Sequence, residues 1–440
     1  MIKIIKYFFL FVTIFFLTSC GTREFLGFEK KKVRLKGERV SILKELTANN
    51  PSEKKSSTEI ILEDAIILSN WPQSYNSPSH LSINHISDSN LDNFNNLVSG
   101  AGERKGSKIL GQPVIYNDVI FFLDARSNVI SFSLKSNKII WKRNISLKNE
   151  KNHDIGGGIV IYKDSLIINS PYGQIISLDV LKGEINWEIN VDSSIRSTPT
   201  IFENKLLSLT SSNKLYALNA DDGGLLWQHQ GIFNNTTLID SPKVAVDENI
   251  VIVPYSNGEF FALNLNNGKE IWRNSFIDLE VKEITNAFSD IDAFPIIKKD
   301  IIIITSAIGK LFAVNKKTGS KLWTRDISST QTPLVNGNSI FIVNRNEEII
   351  CLNILDGGTK WVLPIDDELS DYKKFIWLTP ILINSKLLLV GGNKKLILLD
   401  AYTGTIDKIK NIPNFPASSP IVVNSIPYLM LRNGDIVKIE

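Results

Sequence analysis

The residues able to do chemistry in this chain are few and scattered. Its four histidines are His80, His85, His153 and His229. No pair has the spacing that would put two imidazoles on one helical face toward a single metal ion. His153-Asp154 precede Gly156-Gly157-Gly158, which could be read as a base beside an anion-binding loop. The run fits no phosphate fingerprint, however, and glycines at such a place more simply let two backbones crowd together. No serine nucleophile elbow and no Cys/His pairing occur. Cys351 lies in the apolar run Ile349-Ile350-Cys351-Leu352 and reads as a small core residue; Cys20 is the other cysteine. Two features suit docking rather than catalysis. Asp290 and Asp292 flank Ile291 just before Pro295, at the end of the long link Ile277 to Phe294, and the link Gly231 to Ser241 sets Leu238 and Ile239 among polar residues. Paired carboxylates orient an Arg-bearing partner and an aliphatic tip supplies burial, the plainer alternative being ordinary solvated loops. No catalytic group, metal or cofactor is expected.

The elements that would carry these loops are announced by a repeated phrase. A polar residue, three variable ones, Gly, three more and Trp recur as Asp179-Gly183-Trp187, Asn219-Gly223-Trp227, Asn264-Gly268-Trp272, Asn315-Gly319-Trp323 and Asn353-Gly357-Trp361. The first copy, Ser133-Asn137-Trp141, has Asn in the Gly position; both residues tolerate the left-handed backbone of a tight turn. Proline precedes Trp by 28 residues in four copies, from Pro113, Pro199, Pro295 and Pro333, and by 30 from Pro242. Pro380 stands 28 residues before Lys408, a copy without its Trp. Such a period, roughly 40 to 50 residues, signals a repeat architecture. Within each copy, short runs rich in Ile, Val, Leu and Phe are parted by turn residues, which reads as strands joined by hairpins. No window sustains a helical period.

Four antiparallel strands per repeat make a propeller blade, and the spacing predicts an all-β, eight-bladed β-propeller. Blades are expected to start near Pro113, Gly158, Pro199, Pro242, Pro295, Pro333, Pro380 and Pro420. Trp141, Trp187, Trp227, Trp272, Trp323 and Trp361 are expected as wedges between blades, each burial stabilising the stack by roughly 2 to 3 kcal/mol. The chain stops at Glu440, before the eighth blade has a fourth strand. An N-terminal strand should supply it and close the ring, since an open edge invites pairing with another chain. The alternation in Leu81 to Ser87 makes that segment the expected donor.

Residues 1–19 place two lysines before an apolar stretch from Tyr7 to Leu17, too short for a bilayer and suited to a signal peptide. Leu17-Thr18-Ser19-Cys20-Gly21 resembles a bacterial lipobox, so Cys20 is the expected lipidation site, anchored by several acyl chains. Loss of residues 1–19 removes Lys3 and Lys6 and takes the formal charge from +3 to +1, a balance that argues against nucleic acid. Residues 20–70 are charged and poor in aromatics and read as a tether, with Thr47 to Thr58 as a flexible spacer and the propeller over 71–440.

The lipobox, the tether, the phrase Asn70-Trp71-Pro72-Gln73, the eight repeats and Ser289-Asp290-Ile291-Asp292 together resemble the BamB family of outer-membrane protein assembly factors, whose repeats are of the quinoprotein-like (PQQ) type. The likeness covers nearly all of the chain after residue 19. It implies a non-enzymatic lipoprotein, held at the outer membrane and facing the periplasm, within the BAM complex that inserts proteins into that membrane. It also implies that two neighbouring loops grip a POTRA domain of the central barrel subunit. One carries an S-D-x-D segment, which falls on Asp290 and Asp292; the other carries leucines followed by an arginine. Here that second loop has Leu238 and Ile239 but Asp240 in place of the arginine. A periplasmic quinoprotein (PQQ-dependent) dehydrogenase shares the repeat type and compartment, yet those enzymes resemble this chain in blades alone, for no adjacent cysteine pair exists here. Another propeller binding module is the third reading.

Overall fold

The structure, a computed structural model, describes residues 54–147, 156–232, 243–256, 258–275, 293–306, 309–365, 376–391 and 394–440. Eight sheets, each with four antiparallel strands, succeed one another along the chain, as the repeat predicts. Blade three shows the unit: Thr200–Phe202, Lys205–Leu209, Lys214–Asn219 and Leu225–Gln230, numbered here from the ring axis outward. The first strand is short and joins the second through Glu203-Asn204, with Glu203 in the left-handed region at φ 54°. The second and third strands are apolar runs buried on both faces, because a neighbouring blade covers each side. The outermost strand alternates instead: in Leu225–Gln230, Trp227 points inward while Leu225, Leu226 and Gln228 face solvent.

The first strands begin at Val114, Gly158, Thr200, Ala245, Ile296, Leu334, Ile381 and Ile421, so the expected blade starts fall at their mouths, apart from Pro242, which lies outside the described residues. Gly158 shows why blade two opens on glycines, since a Cβ there would lie 2.2 Å from Thr198 Oγ1 of the next blade. Two ends of the ring can therefore be distinguished. One carries the hairpin turns between first and second strands and the Asn-x3-Gly turns before the outermost strands. The other carries the links from each outermost strand to the next blade. We call them the turn face and the link face.

An N-terminal strand does close the ring. Blade eight is Ile421–Val423, Ile426–Met430 and Asp435–Ile439, completed by Phe94–Ser99 running antiparallel, with Phe94 opposite Ile439 and Ser99 opposite Asp435. The expected donor, Leu81 to Ser87, is a strand of a different kind. Its Asn84–His85 pairs in parallel with Ile381–Ile383 and adds a fifth strand to the axial edge of blade seven. The physical reason lies in burial: Asn84 and His85 are enclosed, whereas Phe94–Ser99 is an outermost strand with Asn95 and Asn96 in solvent, so it needs no apolar alternation. Residues 54–70, expected as the end of the tether, are also seated. Thr359 donates to Lys54 O at 2.6 Å, Ser56 donates to Thr359 O, and Asn338 donates to Ile61 O, so the chain crosses the turn face of blade six toward the axis.

Candidate functional site

The six expected wedges are where the sequence placed them, and their partners explain the whole phrase. Each tryptophan lies on the turn glycine of the following blade: Trp141 on Gly183, Trp187 on Gly223, Trp227 on Gly268, Trp272 on Gly319, Trp323 on Gly357 and Trp361 on Gly404. These glycines have φ between 67° and 75°, and a Cβ on any of them would come within 2.5–2.8 Å of the ring. Gly therefore meets two demands at once, a left-handed turn and a flat seat for the indole. Five of the indoles also donate to the next blade, Trp227 Nε1 to Leu265 O at 2.8 Å being typical. Asn219 shows the role of the leading polar residue: its Oδ1 accepts from the amide of Asp221 and its carbonyl from the amide of Gly223.

The axis of the ring holds a feature that the sequence did not announce. Residues 66–88 make a circuit of it, meeting the first strands of blades one to seven and the first hairpin turn of blade eight. Asn424 of blade eight donates to Leu68 O, Ile115 of blade one to Trp71 O at 3.0 Å, and Ile161 of blade two to Pro72 O at 2.7 Å. Ile201 of blade three donates to Gln73 Oε1 at 3.2 Å. Val246 of blade four donates to Pro78 O and Ile297 of blade five to Ser79 O at 3.0 Å. Ser82 donates to Val335 O of blade six, Asn84–His85 pair with blade seven, and Asp88 donates to Ser425 O of blade eight. The circuit closes on itself, for Ile66 donates to Asn84 O and Ile86 donates to Ile66 O.

Between Gln73 and His80 the segment reaches the link-face end of the axis. Lys243 Nζ donates to Ser74 Oγ at 2.9 Å and sits 4.3 Å from the Phe294 ring centroid. The Tyr75 hydroxyl bonds Thr379 Oγ1 at 3.2 Å, and its ring meets those of His80 and Phe294. His80 is fully enclosed with Nδ1 2.8 Å from Pro295 O; burial pushes its imidazole down to about 3 despite that backbone bond, and the Lys243 cation adds to the effect. His85 packs 5.4 Å from the Trp71 ring and burial pushes it down to about 4. Both are neutral structural imidazoles at neutral pH.

The remaining candidates are core or lie elsewhere. His229 stacks on Tyr255 with Nδ1 2.6 Å from its hydroxyl, and burial lowers its pKa. Cys351 is buried and its thiol is pushed up to about 12, which makes it an inert core residue. Among the described residues no group of three or more His, Cys, Asp or Glu is arranged to hold a metal. Leu238, Ile239, Asp290, Asp292, His153 and Cys20 lie outside the described residues. Blades three to five supply the flanks of the two docking candidates: Leu225–Gln230 and Ala245–Asp247 bracket the first, Glu270–Ser275 and Ile296–Lys298 the second.

Comparison with known proteins adds the family. The model for "Outer membrane protein assembly factor BamB" matches residues 125–363. An uncharacterized protein of Rickettsia prowazekii (strain Madrid E) is 33% identical over 282 residues, covering 63% of this chain and 68% of the relative. The outer membrane protein assembly factor BamB of Shewanella oneidensis is 25% identical over 333 residues, 74% of this chain and 82% of that one. Among solved structures, BamB from Moraxella catarrhalis superposes with a TM-score of 0.65 at 20% identity, over 79% of this chain and 99% of that one. Quinohemoprotein alcohol dehydrogenase from Comamonas testosteroni superposes with 0.66 at 11% identity, over 85% and 80%. These two superpositions establish the propeller alone, since a scaffold and an enzyme fit it equally well. The family match separates them.

Proposed function

The chain belongs to the outer membrane protein assembly factor BamB family, and from that premise we propose that it docks through its link face onto a POTRA domain of the central barrel subunit. Family membership carries the coarser statement: the protein is an outer-membrane assembly factor, a propeller scaffold rather than an enzyme. The finer reading is that the links after blades three and four do the gripping, with Asp290 and Asp292 orienting the partner and Leu238 and Ile239 supplying burial. Asp240, where the family pattern has arginine, calls for a compensating charge on the partner. In the same reading Cys20 carries the acyl chains, residues 1–19 are removed, and the ring faces the periplasm from the outer membrane.

One observation carries this reading. Both links leave and re-enter the ring on the link face of adjacent blades, while residues 54–63 reach the ring across its turn face at blade six. Among the described residues, the approach of 54–63 therefore lies at the opposite end of the ring from the flanks of both links. A rigid ring carrying long links between neighbouring blades suits recognition better than chemistry. The test is capture from detergent-solubilised membranes. Wild-type protein should retain a POTRA-bearing barrel subunit, and Asp290→Lys with Asp292→Lys should lose it, at a cost of roughly 2 to 5 kcal/mol for a pair buried on binding. Unchanged capture by the double variant would refute the assignment. Cys20→Ser should release the protein from the membrane fraction while leaving its thermal unfolding unaltered.

A further inference from the structure

We propose that residues 66–88 are an internal ligand of the propeller, a strap that ties the axial edges of the blades together and makes up for the wedges missing at the seam. The first strand of each blade pairs with the second on one side only, so its other edge presents backbone groups to the axis. The strap meets this need in register. In blades one, two, three, four and five the amide that donates to it belongs to Ile115, Ile161, Ile201, Val246 and Ile297, each the residue just before the last of its first strand. Recognition by carbonyls in a fixed register is how a strand is added to a sheet edge, here with about one residue per blade rather than along one blade.

The placement of the two ends gives the strap a particular task. Blades seven and eight carry no indole wedge, because Lys408 stands in the Trp position of blade seven and Phe94–Ser99 contains no Trp. The circuit overlaps itself there. Its start bonds blade eight through Leu68 and blade one through Trp71, and its finish bonds blade seven through Asn84–His85 and blade eight through Asp88. The Ser87 hydroxyl adds a bond to Ser425 O, and Asn384 of blade seven donates to Ser87 O at 2.7 Å and to His85 O at 2.8 Å. Blades seven, eight and one are therefore held from the axis where they are not held by indoles. Tyr75, Asn76 and His80 all adopt left-handed backbone at φ 57–58°, a conformation that non-glycine residues keep only when their surroundings dictate it. The segment is seated as a fitted part.

Two measurements on the full chain test this. In Gln73→Leu the acceptor of the Ile201 amide is lost, and hydrogen exchange at Ile201 should quicken by about 10-fold or more while Ile115 and Ile161 keep their protection. A specific protease site inserted between Asp88 and Leu91, cut after folding, should leave the fragment ending at Asp88 bound to the ring through gel filtration. Urea should then release that fragment together with exposure of the Phe94–Ser99 strand. An unchanged Ile201 amide, or departure of the fragment in plain buffer from a ring that stays folded, would overturn the proposal. Should the insertion itself prevent folding, the Gln73→Leu exchange alone decides.

Discussion

Six of the eight blade interfaces and the seam are alike in their apolar cores but differ at the outer wedge position. From blade one to blade seven, the outer contact of each interface is an indole on a glycine, repeated with the same geometry. Around blade eight the apolar core between blades continues, but the outer wedge position is polar. Lys408 Nζ, in the wedge position of blade seven, donates to Asn90 O at 2.6 Å and to Asp92 Oδ1 at 3.1 Å, and Lys410 pairs with the same carboxylate. Those bonds, Lys410 first, hold the Asp92 carboxyl below its ordinary range. Both irregularities of the repeat follow from one fact. Blade eight takes its outermost strand from the N-terminal side, so it has no Asn-x3-Gly turn to receive a wedge from blade seven and no Trp to offer blade one. Lys408 and Asn137 are the two residues released from the rule. An irregular copy in a repeat sequence can thus mark where a ring is joined, not only where it has decayed.

The largest effect expected concerns acid, and it should divide the two regions. His80 and His85 lie on the axis and titrate near 3 and 4 when folded, below the ordinary 6.5. A depressed histidine leaves both states neutral above 6.5, so its contribution to stability is complete there. As pH falls through 6.5 the unfolded chain gains protons that the folded one refuses, and stability drains until the folded values are reached. Between pH 7 and pH 4 the pair should cost on the order of 5 kcal/mol. Urea midpoints across that range check it, and replacing His85 with Gln should flatten the curve. Equal stability at both pH values would mean that the axis is wet.

Trp227→Ala removes a complete wedge and should destabilise by about 3 to 5 kcal/mol, measured by chemical unfolding. Gly268→Ala attacks the same joint from the other side. Its Cβ would meet Trp227 at 2.5 Å on a backbone with φ 68°, so a loss of about 2 to 3 kcal/mol is expected. At the seam the corresponding change runs the other way: Asn137→Gly, already left-handed at φ 54° and facing no indole, should shift stability by no more than about 0.5 kcal/mol. If Gly268→Ala and Asn137→Gly proved equally mild, the contrast between wedged joints and seam would collapse.

The legibility of this protein varied with how each part is held. Blade starts, the wedges and the burial of Cys351 could be read because side chains of fixed type recur at fixed spacing. Gly-Trp seating was half legible: the turn demanded glycine, but nothing in one copy shows that the indole resting on it belongs to the blade before. Leu81 to Ser87 announced a strand through its alternation, yet alternation reports enclosure, not address, so it could not say that the enclosure was the axis and blade seven. Phe94–Ser99 closed the ring with hardly any pattern because one side of it is solvent. The docking candidates Asp290, Asp292, Leu238 and Ile239 were legible only as types of residue on long links.

By itself, then, the sequence determined how many blades there are, which residues wedge them and which family the chain resembles, because those depend on side-chain identity repeated in register. Only the tertiary structure decided which N-terminal segment completes blade eight and that residues 66–88 encircle the axis. Those contacts run mostly through backbone amides and carbonyls, which every residue but proline offers alike and which therefore leave no mark on the choice of amino acid.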